Sequence, residues 1–548
     1  MDKSLKIIAV DLTPVLPGGE NGGAKIFVLE LLRRLAETAP QTQFVLLTQA
    51  VSYEELAVLE RKNMRRLMVI GPASTNSFRS YLLNMASRAW PYLVNRVRRA
   101  INSIDYCLNM TLKWNSPGTV LRDLGADLLF CPFTAPAYFE PGIPTVCTIY
   151  DLQYKAYPEF FTSEDVANRD QTFIEACSRA SILAAISDYT RDSAIAYGSL
   201  DPACIRTIYL RMAQRVSLRA EDDKSILNRL DLTPKRYLLY PANFWRHKNH
   251  EMLLTAFGIA CHEGLAPDIN LVCTGAPGAR QKWLMHAART MNLGDRILFP
   301  GYLSNPELAV LMANCSGVVF PSLYEGFGLP VIEAMAAGVP VACSNTTSLP
   351  EVAADAAILF DPRIPTQIAQ AMITLVKDEA LRARLIQAGQ QRAKEFSDTD
   401  RMAKEYWELF KYASVNAKDE NLLTGVYADG WAGPAAHIQV ASATSAQTLE
   451  IEFFAPGWLP QPKFIVKASR DGKSQGAPIE IARGANVLWS LPLESVGGCY
   501  EVSIAPTFIP ARAGYGDDQR ELSVIVQRCS IVQDDGERLE LFTGKALA

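Results

Sequence analysis

The stretch that decides the reading of this chain is Tyr324-Glu325-Gly326-Phe327-Gly328-Leu329-Pro330-Val331-Ile332-Glu333-Ala334-Met335-Ala336-Ala337-Gly338. Just before it, Ser316-Gly-Val-Val-Phe320 has the apolar, β-branched texture of a buried strand, which Pro321 and Ser322 end. Pro330 suits the first position of a new helix. The backbone amides of Phe327, Gly328 and Leu329 are therefore expected to open a helix N-terminus, where unpaired N–H groups and the helix dipole favour a phosphate. Glycine at 326 and 328 lets a ligand approach the backbone. Glu333, nearly one turn into the helix, is placed to face the same ligand, and a carboxylate accepts bidentately, as a ribose diol requires. Glu325, on the turn, is the second acid. Two solvated glutamates on an ordinary helix would show the same spacing, so the remainder of the chain has to decide.

Working outward, residues 6–11 and Gln43-Phe-Val-Leu-Leu-Thr48 read as strands with an amphipathic helix at about 24–38 between them. The β-α-β order returns at 126–131, 145–150 and 182–187. A second set of strands runs through 237–240, 270–274, 296–299, 317–320 and 339–343. This alternation predicts an α/β protein of two doubly wound parallel sheets. The hinge is expected near 212–234, where Glu221-Asp-Asp-Lys-Ser precedes Leu232-Thr-Pro. From Glu379 to Ala413 the pattern is helical. After about 420 it changes to short alternating runs such as Leu449-Glu-Ile-Glu-Phe-Phe454 between Gly, Pro and Asp turns, which predicts an appended β-sandwich.

The order Gly-Phe-Gly-Leu-Pro, Glu-Ala-Met-Ala-Ala-Gly-Val-Pro-Val, Ser348-Leu-Pro-Glu351-Val and Ala357-Ile-Leu-Phe-Asp361-Pro resembles the E-x7-E region of retaining glycosyltransferases of family GT4, which have the two-domain GT-B fold. The resemblance covers roughly residues 1–415 and implies an acceptor domain over 1–215, a nucleotide-sugar donor domain over 230–395, and a helix at 395–415 that packs back on the first domain. The β module, 420–548, lies outside it. In Tyr240-Pro-Ala-Asn-Phe-Trp-Arg246-His-Lys248-Asn-His, Lys248 matches the lysine that clamps the donor diphosphate, while Arg246 is shifted relative to the commonest form. The resemblance further implies that Gly275 and Leu303 touch the nucleotide, that Gly23 (with Gly22) lies near the phosphates, and that Ser187 lines the cleft. Many family members carry His-Asp where this chain has Tyr150-Asp151. A tyrosine keeps a hydroxyl but is no base near neutral pH, so the reaction cannot rest on that side chain.

Composition narrows the classes. With 548 residues, 49% hydrophobic and 20% charged, the chain is long enough for several globular domains. Its start, Met-Asp-Lys-Ser-Leu-Lys-Ile-Ile-Ala-Val, reads as a first strand rather than a signal peptide, and a cytosolic placement is expected. The eleven cysteines form no Cys-x-x-Cys pair, so disulfide or zinc sites are not expected. No histidine precedes His247, which excludes a Ser-His-Asp triad in the N-terminal domain.

Between Arg61 and Arg122 there are eleven Lys and Arg against one acid, Asp105, although the net charge is −4. An apolar stripe from Leu82 to Ile104 accompanies them, so a helix at 79–104 suits either an anionic membrane surface, on the inner face of the plasma membrane, or a core-facing helix with a solvated basic face. No nucleic-acid motif accompanies the charge.

The function expected is transfer of a hexose, mannose or rhamnose, from a nucleotide-diphosphate sugar to a hydroxyl of a growing, lipid-linked surface glycan. No metal and no resident cofactor is expected, GDP-mannose being the favoured co-substrate. Two alternatives stay open: a non-catalytic glycan-binding or scaffold protein on a degenerate transferase, and a GT-B sugar-nucleotide epimerase.

Overall fold

A parallel strand inside an α/β sheet is covered on both faces, so it is a short, continuous apolar run, and two sets of such runs build two sheets here. In the computed structural model the described residues are 5–18, 21–71, 120–140, 142–216, 225–415, 422–427, 429–440, 447–470, 473–495, 498–515, 518 and 520–544. The first sheet contains β1 (Ile7–Asp11), β2 (Gln43–Gln49), β3 (Met64–Ile70), β4 (Leu128–Cys131), β5 (Thr145–Ile149), β6 (Ile182–Ala185) and β7 (Ile205–Thr207). All pair in parallel, in the order β3-β2-β1-β4-β5-β6-β7. The second sheet contains β8 (Tyr237–Pro241), β9 (Asn270–Thr274), β10 (Ile297–Gly301), β11 (Gly317–Phe320), β12 (Val341–Ser344) and β13 (Ala357–Phe360). Its order is β10-β9-β8-β11-β12-β13, again all parallel.

Both orders reverse direction once, between β1 and β4 and between β8 and β11. Loops leaving the strand ends at such a switch diverge and leave a crevice, which is where ligands bind in this architecture. The loops after β8 and β11 are those that carry Lys248 and Glu325.

Three strands of the two parallel sheets had no counterpart among the expected strands: β3, β7 and β13, the last formed by the quoted run Ala357–Phe360. β3, Met64-Arg-Arg-Leu-Met-Val-Ile70, is an edge strand in which only Met64 and Ile70 are buried, so it lacks the apolar run by which a central strand is known. It takes up Arg65 and Arg66 from the basic segment. β7 is a three-residue strand at the opposite edge. The helix expected over 79–104 lies outside the described residues, as does part of the expected hinge.

The helix Thr399–Val415 returns to the first sheet. Its buried Tyr406 and Phe410 pack on Phe130 with ring centroids 5.6 and 5.0 Å apart, and the Tyr406 hydroxyl lies 3.2 Å from Thr148 Oγ1. Met1–Tyr138 with Thr145–Val415 form one compact unit, and Phe139–Pro144 with Asn416–Ala548 a second.

Among the described residues the second unit contains nine antiparallel strands: β14 (Leu422–Val426), β15 (Ala432–Val440), β16 (Gln447–Phe454), β17 (Lys463–Arg470), β18 (Lys473–Ala482), β19 (Asn486–Leu493), β20 (Gly498–Ala505), β21 (Ile525–Gln533) and β22 (Arg538–Thr543). They form sheets ordered β14-β15-β20-β17-β18 and β19-β16-β21-β22. Inward residues of both sheets, among them Ile438, Phe464 and Val502 from one and Leu449, Ile451 and Ile531 from the other, make a single core, so the expected β-sandwich is present. Among the described residues no helix is long and apolar enough to cross a membrane.

Candidate active site

The loop after β11 is held open by geometry rather than by side-chain caps. Gly328 has φ 98°, in the left-handed region that glycine takes without strain, and starts the helix Leu329–Ala336 with no side chain capping it. Pro330 occupies its first turn. Among the described residues no protein acceptor meets the N–H groups of Phe327, Gly328 and Leu329. These N–H groups are left open, as at any uncapped helix start. The Phe327 side chain turns the other way, into an aromatic packing with Tyr209 and Phe396.

Lys248 reaches this loop from the facing strand end. Its carbonyl accepts from the buried Tyr240 hydroxyl at 2.6 Å, and the neighbouring Asn249 takes φ 60° and donates through Nδ2 to Pro321 O and Pro362 O at 3.0 and 2.8 Å. These bonds fix the backbone, so the lysine is aimed. Nζ lies 2.6 Å from Glu325 Oε1, with both side chains largely buried. Arg246 does not join them: it is exposed on the rim, its Nη1 3.4 Å from Glu159 O.

Across the crevice stand Tyr150 and Asp151, at the end of β5. Asp151 Oδ1 accepts from Gln153 N–H at 3.1 Å. Burial raises the carboxyl's pKa, the Glu325 charge adds to that, and the Gln153 N–H, Arg169 and Lys248 oppose it. Tyr150 packs edge-on against Phe27 at 6.0 Å, and its buried hydroxyl has no partner. Burial drives that phenol's pKa far up, so it stays protonated.

Three residues of the quoted motifs join the two lobes: Ser187, expected to line the cleft, and Tyr324 and Glu351, for which no ligand role was expected. Ser187, fully buried, accepts from Thr190 N–H at 3.0 Å and donates to Gly326 O at 2.7 Å. It caps a first-domain helix and grips the second-domain loop. Tyr324 Oη accepts from Leu152 N–H at 3.2 Å. Glu351, of the Ser-Leu-Pro-Glu segment, accepts from Asp188 N–H and Tyr189 N–H at 2.7 and 3.0 Å. A carboxylate at that helix start satisfies two orphan donors and complements the dipole. Gly275 is constrained by its neighbours: a Cβ there would lie 2.6 Å from Ala242 O. Leu303 is buried beside the exposed Tyr302. A Cβ on Gly23 would meet Leu329 at 3.7 Å and one on Gly22 would meet Trp245 at 3.8 Å, so Gly23 faces the helix start and Gly22 the loop after β8.

Glu333 is only 1% exposed, and Arg215 holds it bidentately at 2.5 and 2.9 Å while also donating to Asn305 Oδ1 at 3.2 Å. Arg215 has no signal in the sequence; 118 residues separate the partners. Burial raises the Glu333 pKa and Arg215 opposes that rise. Removing one member of a buried pair strands the other charge, so Arg215→Ala is expected to cost about 3–5 kcal/mol of stability in urea unfolding. Adding Glu333→Gln should recover part of it, and a full-strength single variant would show the pair to be idle.

His250 is fully buried between the Tyr240 and Phe244 rings, at 4.7 and 4.9 Å, and among the described residues neither ring nitrogen has a partner. Burial, with Arg280 and Lys248 nearby, lowers its pKa to about 3. The unfolded chain takes up the proton first, near about 6.5, so stability present above that pH drains away as pH falls toward 3. His250→Phe should therefore lose less melting temperature than wild type between about pH 7.5 and about pH 5. Equal losses would place the acid sensitivity elsewhere.

A cavity of about 730 Å³ opens beside this constellation at the strand ends of the first sheet, lined by Leu16, Gln49, Phe133, Asp151, Asp165 and Arg169 among others.

Residues 223–392 match the family model described as glycosyl transferases group 1. The O-antigen chain mannosyltransferase B of Escherichia coli is 29% identical over 273 residues, which cover 50% of this chain and 69% of that protein. The serotype-specific mannosyltransferase WbdA of E. coli is 28% identical over 247 residues, 43% of this chain but only 29% of that longer protein. Among solved structures, Anabaena HepE, crystallised with UDP and glucose, superposes with a TM-score of 0.54 at 17% identity, covering 75% of this chain and all of HepE. The fold is thus GT-B, with a β-rich C-terminal addition, and residues 223–392 are a glycosyl transferases group 1 domain.

Proposed function

We propose that this chain is a retaining, metal-independent glycosyltransferase that moves a hexose from a nucleotide-diphosphate sugar to a hydroxyl of a growing, lipid-linked surface polysaccharide. Mannose is the favoured sugar and GDP-mannose the favoured donor, since the relatives named above are mannosyltransferases of E. coli, one of them acting on O-antigen chains. The observation that carries the reading is the convergence of Lys248, Glu325 and the open amides at 327–329 on one crevice at the strand switch.

In this reading the diphosphate lies between Lys248 and those amides, with Arg246 swinging in from the rim. As the bond from the sugar C1 to phosphate breaks, charge grows on the leaving oxygen, and these preset donors stabilise it without reorganising. The acceptor hydroxyl attacks C1 on the same face and passes its proton to the departing phosphate, so no side-chain base is required. Tyr150, permanently protonated, bounds the sugar site. Asp151 and the cavity beside it receive the acceptor. Glu333 takes the ribose: Arg215 uses one lone pair on each oxygen, and roughly two of about four acceptor positions remain for a diol once Arg215 moves off enough to admit it.

A donor screen by mass spectrometry with a lipid-linked acceptor extract tests this directly. GDP-mannose should be consumed with formation of an α-linked product; no turnover with any nucleotide sugar would leave a binding protein as the reading. EDTA should leave turnover intact, because Lys248 and the amides neutralise the diphosphate, and loss restored by a divalent ion would overturn that role.

A further inference from the structure

The second unit carries a cluster of side chains for which donor binding and transfer have no use. Trp431, Trp458, Phe508 and Tyr515 come from three separate loops and form one folded aromatic plate, its neighbouring rings tilted 52–81° to one another. The ring centroids are 5.6 Å apart for Trp431–Trp458, 6.2 Å for Trp458–Phe508, 5.9 Å for Trp431–Phe508 and 5.1 Å for Trp458–Tyr515. Phe508 is 7% exposed and roots the plate in the sandwich core, whereas Trp458 and Tyr515 are 47% and 43% exposed. Core packing accounts for the rooted rings and leaves the open faces unexplained.

Hydrogen-bonding groups fixed in place border these faces. Arg520 Nη2 donates to Asp429 Oδ2 and to Asp518 Oδ2, each at 2.7 Å, and its guanidinium lies 4.6 Å from the Tyr427 ring centroid. Asp429 is exposed, and Oδ1 accepts from Trp431 N–H at 3.4 Å, which ties the polar border to the plate. Asp429 and Asp518 thus present carboxylate oxygens, acceptors for hydroxyl groups, at the edge of the rings. What fits is a neutral ligand with an apolar face to lie on the rings and hydroxyls at its edge to meet the carboxylates. A pyranose ring has that chemistry.

We propose that this plate is a saccharide-binding site for a neutral glycan. That the glycan is of the class extended by the first unit rests on the proposed function; the fit of plate and border to a sugar ring does not. Holding a glycan on the same chain that extends it would raise its effective concentration without any new contact at the transfer site.

Native electrophoresis of the full chain through gels containing yeast mannan, dextran or no polysaccharide tests the site. Wild type should be retarded at least about three-fold in one polysaccharide gel. Trp458→Ala and Tyr515→Ala, both at exposed positions, should migrate as in the blank gel with unchanged melting temperature. Asp429→Asn, which leaves the rings in place, should reduce the retardation. Migration of wild type unaffected by either polysaccharide, or equal retardation of wild type and both ring variants, would overturn the proposal. So would a change of sedimentation from dimer to monomer in the ring variants, which would make the plate a contact between copies. Binding of GDP and UDP, measured by calorimetry on the same samples, separates the two readings. Retardation without nucleotide binding keeps this site and removes the donor assignment, and the reverse removes only this site.

Discussion

Lys248→Ala is expected to lower transfer by roughly 10²–10³-fold, about 2.7–4 kcal/mol, while the protein stays folded. The lysine is aimed by bonds to its backbone, from the Tyr240 hydroxyl and through Asn249, and none of these involves the ammonium group. Removing that group therefore removes a cation and little of the packing. Its loss also strands Glu325, which is nearly buried beside it at 2.6 Å. For this reason Lys248→Ala with Glu325→Gln should cost much less than the sum of the single changes, as residues in direct contact do. Calorimetry should show affinity lost for a nucleoside diphosphate and nearly kept for the nucleoside, because in the proposed reading only the phosphates face Lys248. Turnover within a few-fold of wild type would sink the diphosphate assignment. Glu333→Ala is expected to fall as far in turnover, through the nucleoside half of the donor.

Gly326→Ala should be comparably damaging for a different reason. A Cβ at this position is driven into the carbonyl oxygen of Tyr150 and comes within 3.0 Å of its carbon and 3.3 Å of Asp151 Cβ. The obstruction is backbone, so no rotamer change relieves it. The Gly326 carbonyl is meanwhile held by Ser187 and Thr190 at 2.7 and 3.2 Å. The loop must therefore back away from the first domain, taking Glu325 and the amides at 327–329 with it. A displacement of about 1 Å at a reacting centre costs on the order of 10²-fold, and the same loss is expected here, together with a lower melting temperature from the weakened lobe contact. Gly278→Ala is the control, since a Cβ there meets nothing within 4 Å and the backbone is extended. Equal activity in the two variants would mean that the lobe contact at Gly326 plays no part in turnover.

The parts legible from the sequence were those whose neighbours in space are also neighbours in the chain. The strand, the glycine turn and the helix start follow one another in the chain, so the open N–H groups of Phe327, Gly328 and Leu329 were legible, and so was the β8 loop that carries Lys248. Period-two alternation likewise announced the sandwich. Edge strands β3 and β7 escaped notice because an edge needs little apolar surface: β3 buries only its two ends.

What stayed hidden depended on two lobes meeting. Ser187 and Gly326 are 139 residues apart, Glu351 and Asp188 are 163 apart, and Arg215 and Glu333 are 118 apart. Each looks in isolation like a solvated polar residue or a turn glycine. Pairing across the crevice then buries it, and burial turns a weak surface contact into one that is costly to break. Sequence by itself determined the architecture of two parallel sheets with a β-sandwich, and the local chemistry of each strand-end loop, because periodicity and turn residues act over short range. Only the tertiary structure decided which of those loops touch, that Glu333 is closed over by Arg215, and that Gly326 has no room for a side chain, because these follow from distances between segments that the chain order does not encode.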